Sequence, residues 1–245
     1  MSRERVALAG ALAGVILLFA GGARGGTLTA ASIPASPANP QPGAAFLQDK
    51  GTFRILVNGQ QVGKEEFEIA SRGGDWVAHD TSEIQGAGGM SRVTGTLELH
   101  ADGTPAHYEW STQGEKKATA TIGFEGSTAT IDLHIEGVKP YTQQFTFNSP
   151  QVVILDNNLY YQYAVLASLY DWNRKGTQTF AVLVPQELTP GTVTVESAGT
   201  HDAGGKKLEE LAVKSPDLEV DLFLDGQRLV RIVSPSANAE ILRDK

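Results

Sequence analysis

From Phe46 to the C-terminus, turn signals recur every eight to twelve residues between segments in which apolar and polar side chains alternate. A period of two marks extended chain with one buried and one wetted face, and closely spaced turns favour antiparallel neighbours. Phe53, Ile55 and Val57 alternate with Thr52 and Arg54, and Asn58-Gly59 supplies a hairpin turn into 62–70. Val93, Gly95, Leu97 and Leu99 face one way, with Thr94, Thr96, Glu98 and His100 opposite, before the Asp102-Gly103 turn. The pattern predicts about thirteen strands: 53–57, 62–70, 76–85, 93–99, 108–110, 118–124, 129–135, 141–147, 177–184, 192–198, 207–214, 218–224 and 229–233.

One segment breaks this period. Between Asp156 and Trp172, Leu159, Tyr163, Leu166 and Tyr170 repeat at helical spacing, and Asp156 or Asn157 can cap the N-terminus. Tyr160, Ala164, Val165 and Ala167 fill the other faces, so the predicted helix 156–172 is apolar nearly all round and belongs inside protein. Thirteen strands at about 4.8 Å spacing make a sheet about 60 Å wide, whereas one helix about 10 Å across shields two or three strands. The sheet must cover the rest of its own apolar face. The predicted fold is therefore mainly β: a strongly curved antiparallel sheet, half-barrel or barrel, enclosing one central helix, with a β-sandwich carrying one helix as the alternative.

Two stretches echo each other. Gly51-Thr-Phe-Arg-Ile-Leu-Val57 resembles Gly176 to Val184, and Leu97 to Gly103 resembles Asp221 to Gly226, which suggests an internal pseudo-repeat of 51–110 with 176–233.

Ahead of the domain lie two segments of different composition. Met1 to Arg5 is basic, Val6 to Ala20 is apolar, and small residues follow, the arrangement of a secretory signal with cleavage after Ala23 or Ala31. The expected location is periplasmic or secreted. An uncleaved N-terminal membrane anchor is the alternative, since Val6 to Ala23 is uncharged for 18 residues. Residues 24–45, rich in Pro, Ala and Ser with prolines at 34, 37, 40 and 42, form an extended linker to a single domain at 46–245. Without residues 1–23 the chain holds 18 basic and 27 acidic residues, an acidic balance that argues against nucleic-acid binding. It contains no cysteine, hence no thiolate metal site, no Cys nucleophile and no lipid-modified N-terminal cysteine.

The pattern Gly51-x-Phe53-x-Ile55-x-x-Asn58-Gly59-x-x-Val62-Gly63, with Leu155-Asp156-Asn157-Asn158 before the helix, resembles exported bacterial β-rich proteins of unknown function. Those are related in style to the LolA/LolB-like lipoprotein carriers. The resemblance covers about 51–243 and implies a curved sheet enclosing helices over an apolar cavity. This chain differs in having one helix instead of several, and no residue matches the carriers' functional arginine.

No nucleophile elbow, phosphate loop, zinc-protease helix or calcium loop occurs, so no cofactor is expected and the chain is read as non-catalytic. The aromatic cluster gives the ligand-cavity candidates: Tyr160, Tyr163, Leu166 and Tyr170 on the helix, with Trp110 and Phe145 on strands. These residues either line a cavity or simply fill the core. His100 and His107, with Glu98 and Glu109, are weak metal candidates on what is ordinarily a solvated strand face. Glu65, Glu66, Glu68, Asp75 and Asp80 suit a solubilising strand better than a glycosidase acid pair, which needs one carboxyl in an apolar pocket. The expected partner is a lipid or other apolar ligand. An envelope interaction module is the second expectation, and a hydrolase with an unrecognised site the third.

Overall fold

The computed structural model describes residues 46–244 except positions 87, 115, 116 and 175, so the predicted signal 1–23 and linker 24–45 lie outside the described residues. Eight strands come first: β1 Asp49–Val57, β2 Gln60–Arg72, β3 Asp75–Gly86, β4 Gly89–Leu99, β5 Pro105–Gln113, β6 Ala118–Glu125, β7 Thr128–Ile135 and β8 Tyr141–Thr146. Next come β9 Val152–Ile154, the helix α1 Tyr161–Leu169, β10 Gln178–Val184 and a short 3-10 turn, Pro185–Glu187. The last five strands are β11 Thr189–Ala203, β12 Lys206–Lys214, β13 Glu219–Asp225, β14 Arg228–Ser234 and β15 Ala239–Arg243.

All fifteen strands join one sheet, in the order β8-β7-β6-β5-β4-β3-β2-β1-β15-β14-β13-β12-β11-β10-β9. Pairing is antiparallel except between β9 and β10, which run parallel and are connected through α1. This single curled sheet is the half-barrel expected from the alternation, and the sandwich alternative is not formed. Two corrections apply. The strands number fifteen instead of thirteen, because β9 and β15 were not anticipated, and the helix is 161–169 instead of 156–172. Both pseudo-repeat spans run as antiparallel meanders, as does every consecutive window within β1 to β8 or β10 to β15.

The connectivity measures the curl. Fifteen strands at about 4.8 Å would separate the edges β8 and β9 by about 70 Å in a flat sheet. Those edges are joined by residues 147–151 alone, a connection that reaches at most about 21 Å. The sheet must therefore bend until its two ends nearly meet, yet β8 and β9 do not pair and the barrel stays open along that seam. Register shifts at Ile55/Leu56, Glu98/Leu99, Ser197/Gly199 and Phe223/Leu224 aid the bend, because a bulge adds local twist and curvature.

The first and last strands meet in the middle of the sheet, Phe53 opposite Arg243 and Val57 opposite Ala239. Arg243 grips Asp49 with both terminal nitrogens, at 2.7 and 2.8 Å, and donates to the Lys50 carbonyl at 2.7 Å. A Cβ on Gly51 would lie 2.7 Å from that guanidinium, so the glycine of the Gly51-x-Phe53 pattern makes room for the clasp joining the two termini of the domain.

Inner-face residues of every strand from β1 to β7 contribute to one core, among them Phe53, Phe67, Leu97, Tyr108, Ile122 and Ile131. The far half adds Val195, Leu211, Val220, Leu222, Leu229 and Ile232. Each such side chain contributes about 1.5–3 kcal/mol relative to exposure. The helix occupies the concavity and runs nearest β9 and β14. All its residues but Ser168 are buried, as expected for a helix without a polar face. Among the described residues no helix is long and apolar enough to cross a membrane.

Candidate functional site

The helix starts without help from its own sequence. Tyr160 at the N-cap makes no side-chain cap, and the first turn carries no acidic residue. The expectation that Asp156 or Asn157 caps it is corrected: the capping group is Glu65 on β2, whose Oε2 accepts the Tyr160 N–H at 3.0 Å and Oε1 the Tyr161 N–H at 3.1 Å. A carboxyl at this point satisfies backbone donors that a helix N-terminus cannot pair internally. Strand parity puts it there. Glu65 shares a face with Phe67 and Ile69, while Lys64, Glu66 and Glu68 point outward.

Asp156 has a different task. Its Oδ2 accepts the Tyr108 hydroxyl at 3.0 Å, and its Oδ1 accepts the Gln186 N–H at 2.9 Å and the Asn157 N–H at 3.2 Å. Gln162 closes the network, with Oε1 accepting the Asp156 N–H at 2.5 Å and Nε2 donating to the Tyr108 hydroxyl at 3.2 Å. The segment entering the helix is thereby tied to β5 and to the 3-10 turn. The other end is tied as well: the Tyr170 hydroxyl donates to the Gly176 carbonyl and accepts the Ser197 N–H, both at 3.2 Å.

Asp80 on β3 completes the acidic group. The Gly95 backbone approaches it, but neither carboxyl oxygen has a hydrogen-bond partner of good geometry, although the residue is only 6 % exposed. A Cβ on Gly95 would lie 2.5 Å from Asp80 Oδ1, 3.1 Å from Leu159 and 3.5 Å from the Tyr108 hydroxyl, so only glycine leaves room for these groups. The hydroxyls of Ser82, Tyr160 and Tyr161 and the Trp110 Nε1 are also buried without partners.

Burial dominates the electrostatics. It pushes the Glu65 carboxyl up to about 8 against the pull of the two helix N–H groups, and the Asp156 carboxyl up to about 7. Asp80 is raised well above its ordinary value, first by burial and then by the neighbouring charges of Glu65 and Asp156. Burial likewise raises the phenols of Tyr108, Tyr160, Tyr161 and Tyr163. A buried carboxyl with a raised pKa binds more protons folded than unfolded, so its contribution is complete below about pH 4 and declines as pH rises towards about 8. The urea midpoint is expected to fall from pH 5 to pH 8, with a flatter profile in the Glu65→Gln/Asp156→Asn double variant. A midpoint that holds or rises over that interval in the unsubstituted protein contradicts this assignment.

Of the cavity candidates, Tyr160, Tyr163, Leu166, Tyr170 and Trp110 are buried at 5 % exposure or less, and half-buried Phe145 packs against the same core. The metal candidates do not converge: His100 faces Asp75 at 3.8 Å, whereas His107 contacts Glu109 on its own strand at 3.0 Å. Among the described residues no three His, Asp or Glu side chains come together to hold a metal ion. Of the carboxylates considered for an acid pair, Glu66, Glu68 and Asp75 are exposed. Glu65 and Asp80 do acquire the raised pKa that glycosidase chemistry requires, but Glu65 is fully enclosed beneath the helix and spends both oxygens on backbone N–H groups. The sequence argument counted Tyr108 and Tyr161 in the aromatic cluster and Gln162 in the helix but missed their part in this polar network, missed Ser82, and treated Glu65 as a solubilising residue.

On the outer face, Lys50, Lys64, Glu66, Glu68, His79, Glu83 and Arg92 line an open groove of about 460 Å³ over β1 to β4. Comparison of the chain with protein-family models, with curated proteins and with solved structures finds no match.

Proposed function

We propose that this protein is an exported, non-catalytic carrier that takes a lipid or another apolar ligand into the concave face of its sheet, with α1 as a removable occupant of that face. The observation that carries this reading is the seam. On β8, Tyr141, Gln143 and Phe145 lie opposite the inward residues Leu133, Ile131 and Ala129 of β7. Tyr141 is nevertheless 50 % exposed, and Gln143 and Phe145 are half-buried. The inner face is thus uncovered along this edge strand, beside the gap to β9, where a chain-like ligand gains lateral entry.

Polar tips within an apolar lining suit an amphiphile, since a buried donor such as Trp110 Nε1 gains from any acceptor a ligand brings. The resemblance to LolA/LolB-like carriers favours the same reading. A second reading, an envelope interaction module, is favoured by the outer edge of β8, which has no neighbour in the sheet and offers backbone groups to a partner strand.

Titration of the delipidated domain with a neutral pyrene-labelled alkane separates the two. The carrier reading expects saturable uptake, weakened about tenfold by Phe145→Glu, because a charge at the portal must be desolvated as the tail passes. Absence of uptake, or uptake indifferent to Phe145→Glu, overturns it.

A further inference from the structure

Two polar clusters on the outer face are self-satisfied. In the groove over β1 to β4, Lys50 pairs with Glu68, Lys64 with Glu66 and Glu83, and Arg92 with Glu83. On β11 to β14, His201 contacts Glu210 and meets Phe223 edge-on at 5.5 Å, with Arg231 over the same ring at 5.2 Å. The acidic cluster under the helix differs, because its polar atoms are enclosed and partly unpartnered.

We propose that Glu65, Asp80 and Asp156 form a proton-operated latch, which seats the N-terminal end of α1 in the concavity while protonated and releases it as the carboxyls ionise. The proposal rests on the reading of α1 as a removable occupant. Three elements supply the acids: β2, β3 and the segment entering the helix. The facing groups add no positive charge. Phe53 of β1 lies opposite Glu65, Ser82 lies beyond Asp80 on β3, and Gly95 and Leu97 represent β4. Beyond these stand Tyr108 of β5, Tyr160 and Tyr161 at the helix start, and the Gln186 N–H on the 3-10 turn. Glu187 on the 3-10 turn accepts from Asn157 Nδ2 at 2.9 Å, and Arg243 lies over the ring of Phe67, the next inward residue of β2. Among the described residues no lysine, arginine or histidine is buried.

A first negative charge can be held, because Glu65 faces two helix N–H groups. Asp156 also accepts three donors, whereas Asp80 meets only the Gly95 backbone, without good hydrogen-bond geometry. Each further charge in this enclosed site is therefore opposed by the repulsion of those already there. Asp80 and Glu65 are fixed to paired strands, facing Gly95 and Phe53 across the ladders. The helix is joined to the sheet through the loops on either side, so it is the element that yields. Its displacement admits water to all three acids and clears the face next to Trp110.

The test is hydrogen exchange by mass spectrometry on the whole exported protein from pH 5 to pH 9, corrected for the intrinsic pH dependence of exchange. Protection of peptides covering 155–170 is expected to fall about tenfold more than that of peptides from β12 to β14. Asp80→Asn, which preserves shape and removes the charge, abolishes this excess, and Glu65→Gln reduces it as a second variant. Helix protection that does not change with pH, or that falls equally in Asp80→Asn, overturns the latch. If either variant fails to fold, the profile of the unsubstituted protein decides alone. Pyrene-alkane uptake is followed in parallel. Helix release without uptake upholds the latch and removes the carrier reading, whereas uptake without pH-dependent release does the reverse.

Discussion

Replacing Glu65 by alanine is expected to destabilise the domain by about 3–5 kcal/mol, among the largest losses any single substitution here should produce. The Tyr160 and Tyr161 N–H groups both end on this one side chain, and α1 has no side-chain cap of its own. Alanine leaves two buried donors without acceptors, at about 1–3 kcal/mol each, and a space that the surrounding ladder cannot close. Relief of repulsion with Asp80 offsets part of the loss, and more of it at high pH, where both acids are closer to ionising. Glu65→Gln keeps one acceptor and should cost about 1–2 kcal/mol. Urea denaturation at pH 6 checks both the size and the order. A loss below about 1 kcal/mol for alanine would mean that the helix N-terminus finds its acceptors elsewhere.

Why this residue escaped the sequence argument is instructive. The signal was present: Glu65 keeps the parity of Phe67 and Ile69, and Asp80 that of Ala78 and Ile84. A run of acids beside a lysine nevertheless reads as a solvated face, and the partner it serves lies 95 residues ahead. Local rules favour Asp156 as the cap for the same reason, being blind to a donor–acceptor match made across the sheet. The general architecture was more legible. Alternation fixed which face of each strand is wet, and the mismatch between sheet width and helix width forced the curl. The two missed strands have separate causes. Val152-Val153-Ile154 is buried on every residue, so it shows no alternation to detect. Ala239–Arg243 is a five-residue strand held by pairing with β1 and β14, one of them at the opposite end of the chain. The seam was legible only indirectly, since Phe145 could be named from its aromatic character but its exposure depends on β8 being an edge.

Leu166→Ala should cost about 2–5 kcal/mol and at the same time speed ligand entry. Leu166 is fully buried in the middle of the helix, and truncation removes both its transfer energy and its contacts with the enclosing sheet. Trp172, just beyond the helix and 42 % exposed, is the control: it meets Tyr170 edge-on at 5.0 Å, and its replacement by alanine should cost about 0.5–1.5 kcal/mol. In a rigid core protein, loss of a core leucine affects stability alone. In a carrier whose concave face is occupied by its own helix, the same truncation weakens the occupant against the ligand, so uptake of the neutral pyrene probe should accelerate as stability falls. The helix and the probe then compete for one apolar surface, and a ligand bound there stabilises the helix-displaced state by mass action. Urea denaturation and stopped-flow uptake on the two variants separate these cases. A Leu166→Ala domain as stable as the Trp172→Ala control would show that α1 is not seated in the concavity, and unchanged uptake beside a large stability loss would show that the helix never leaves it.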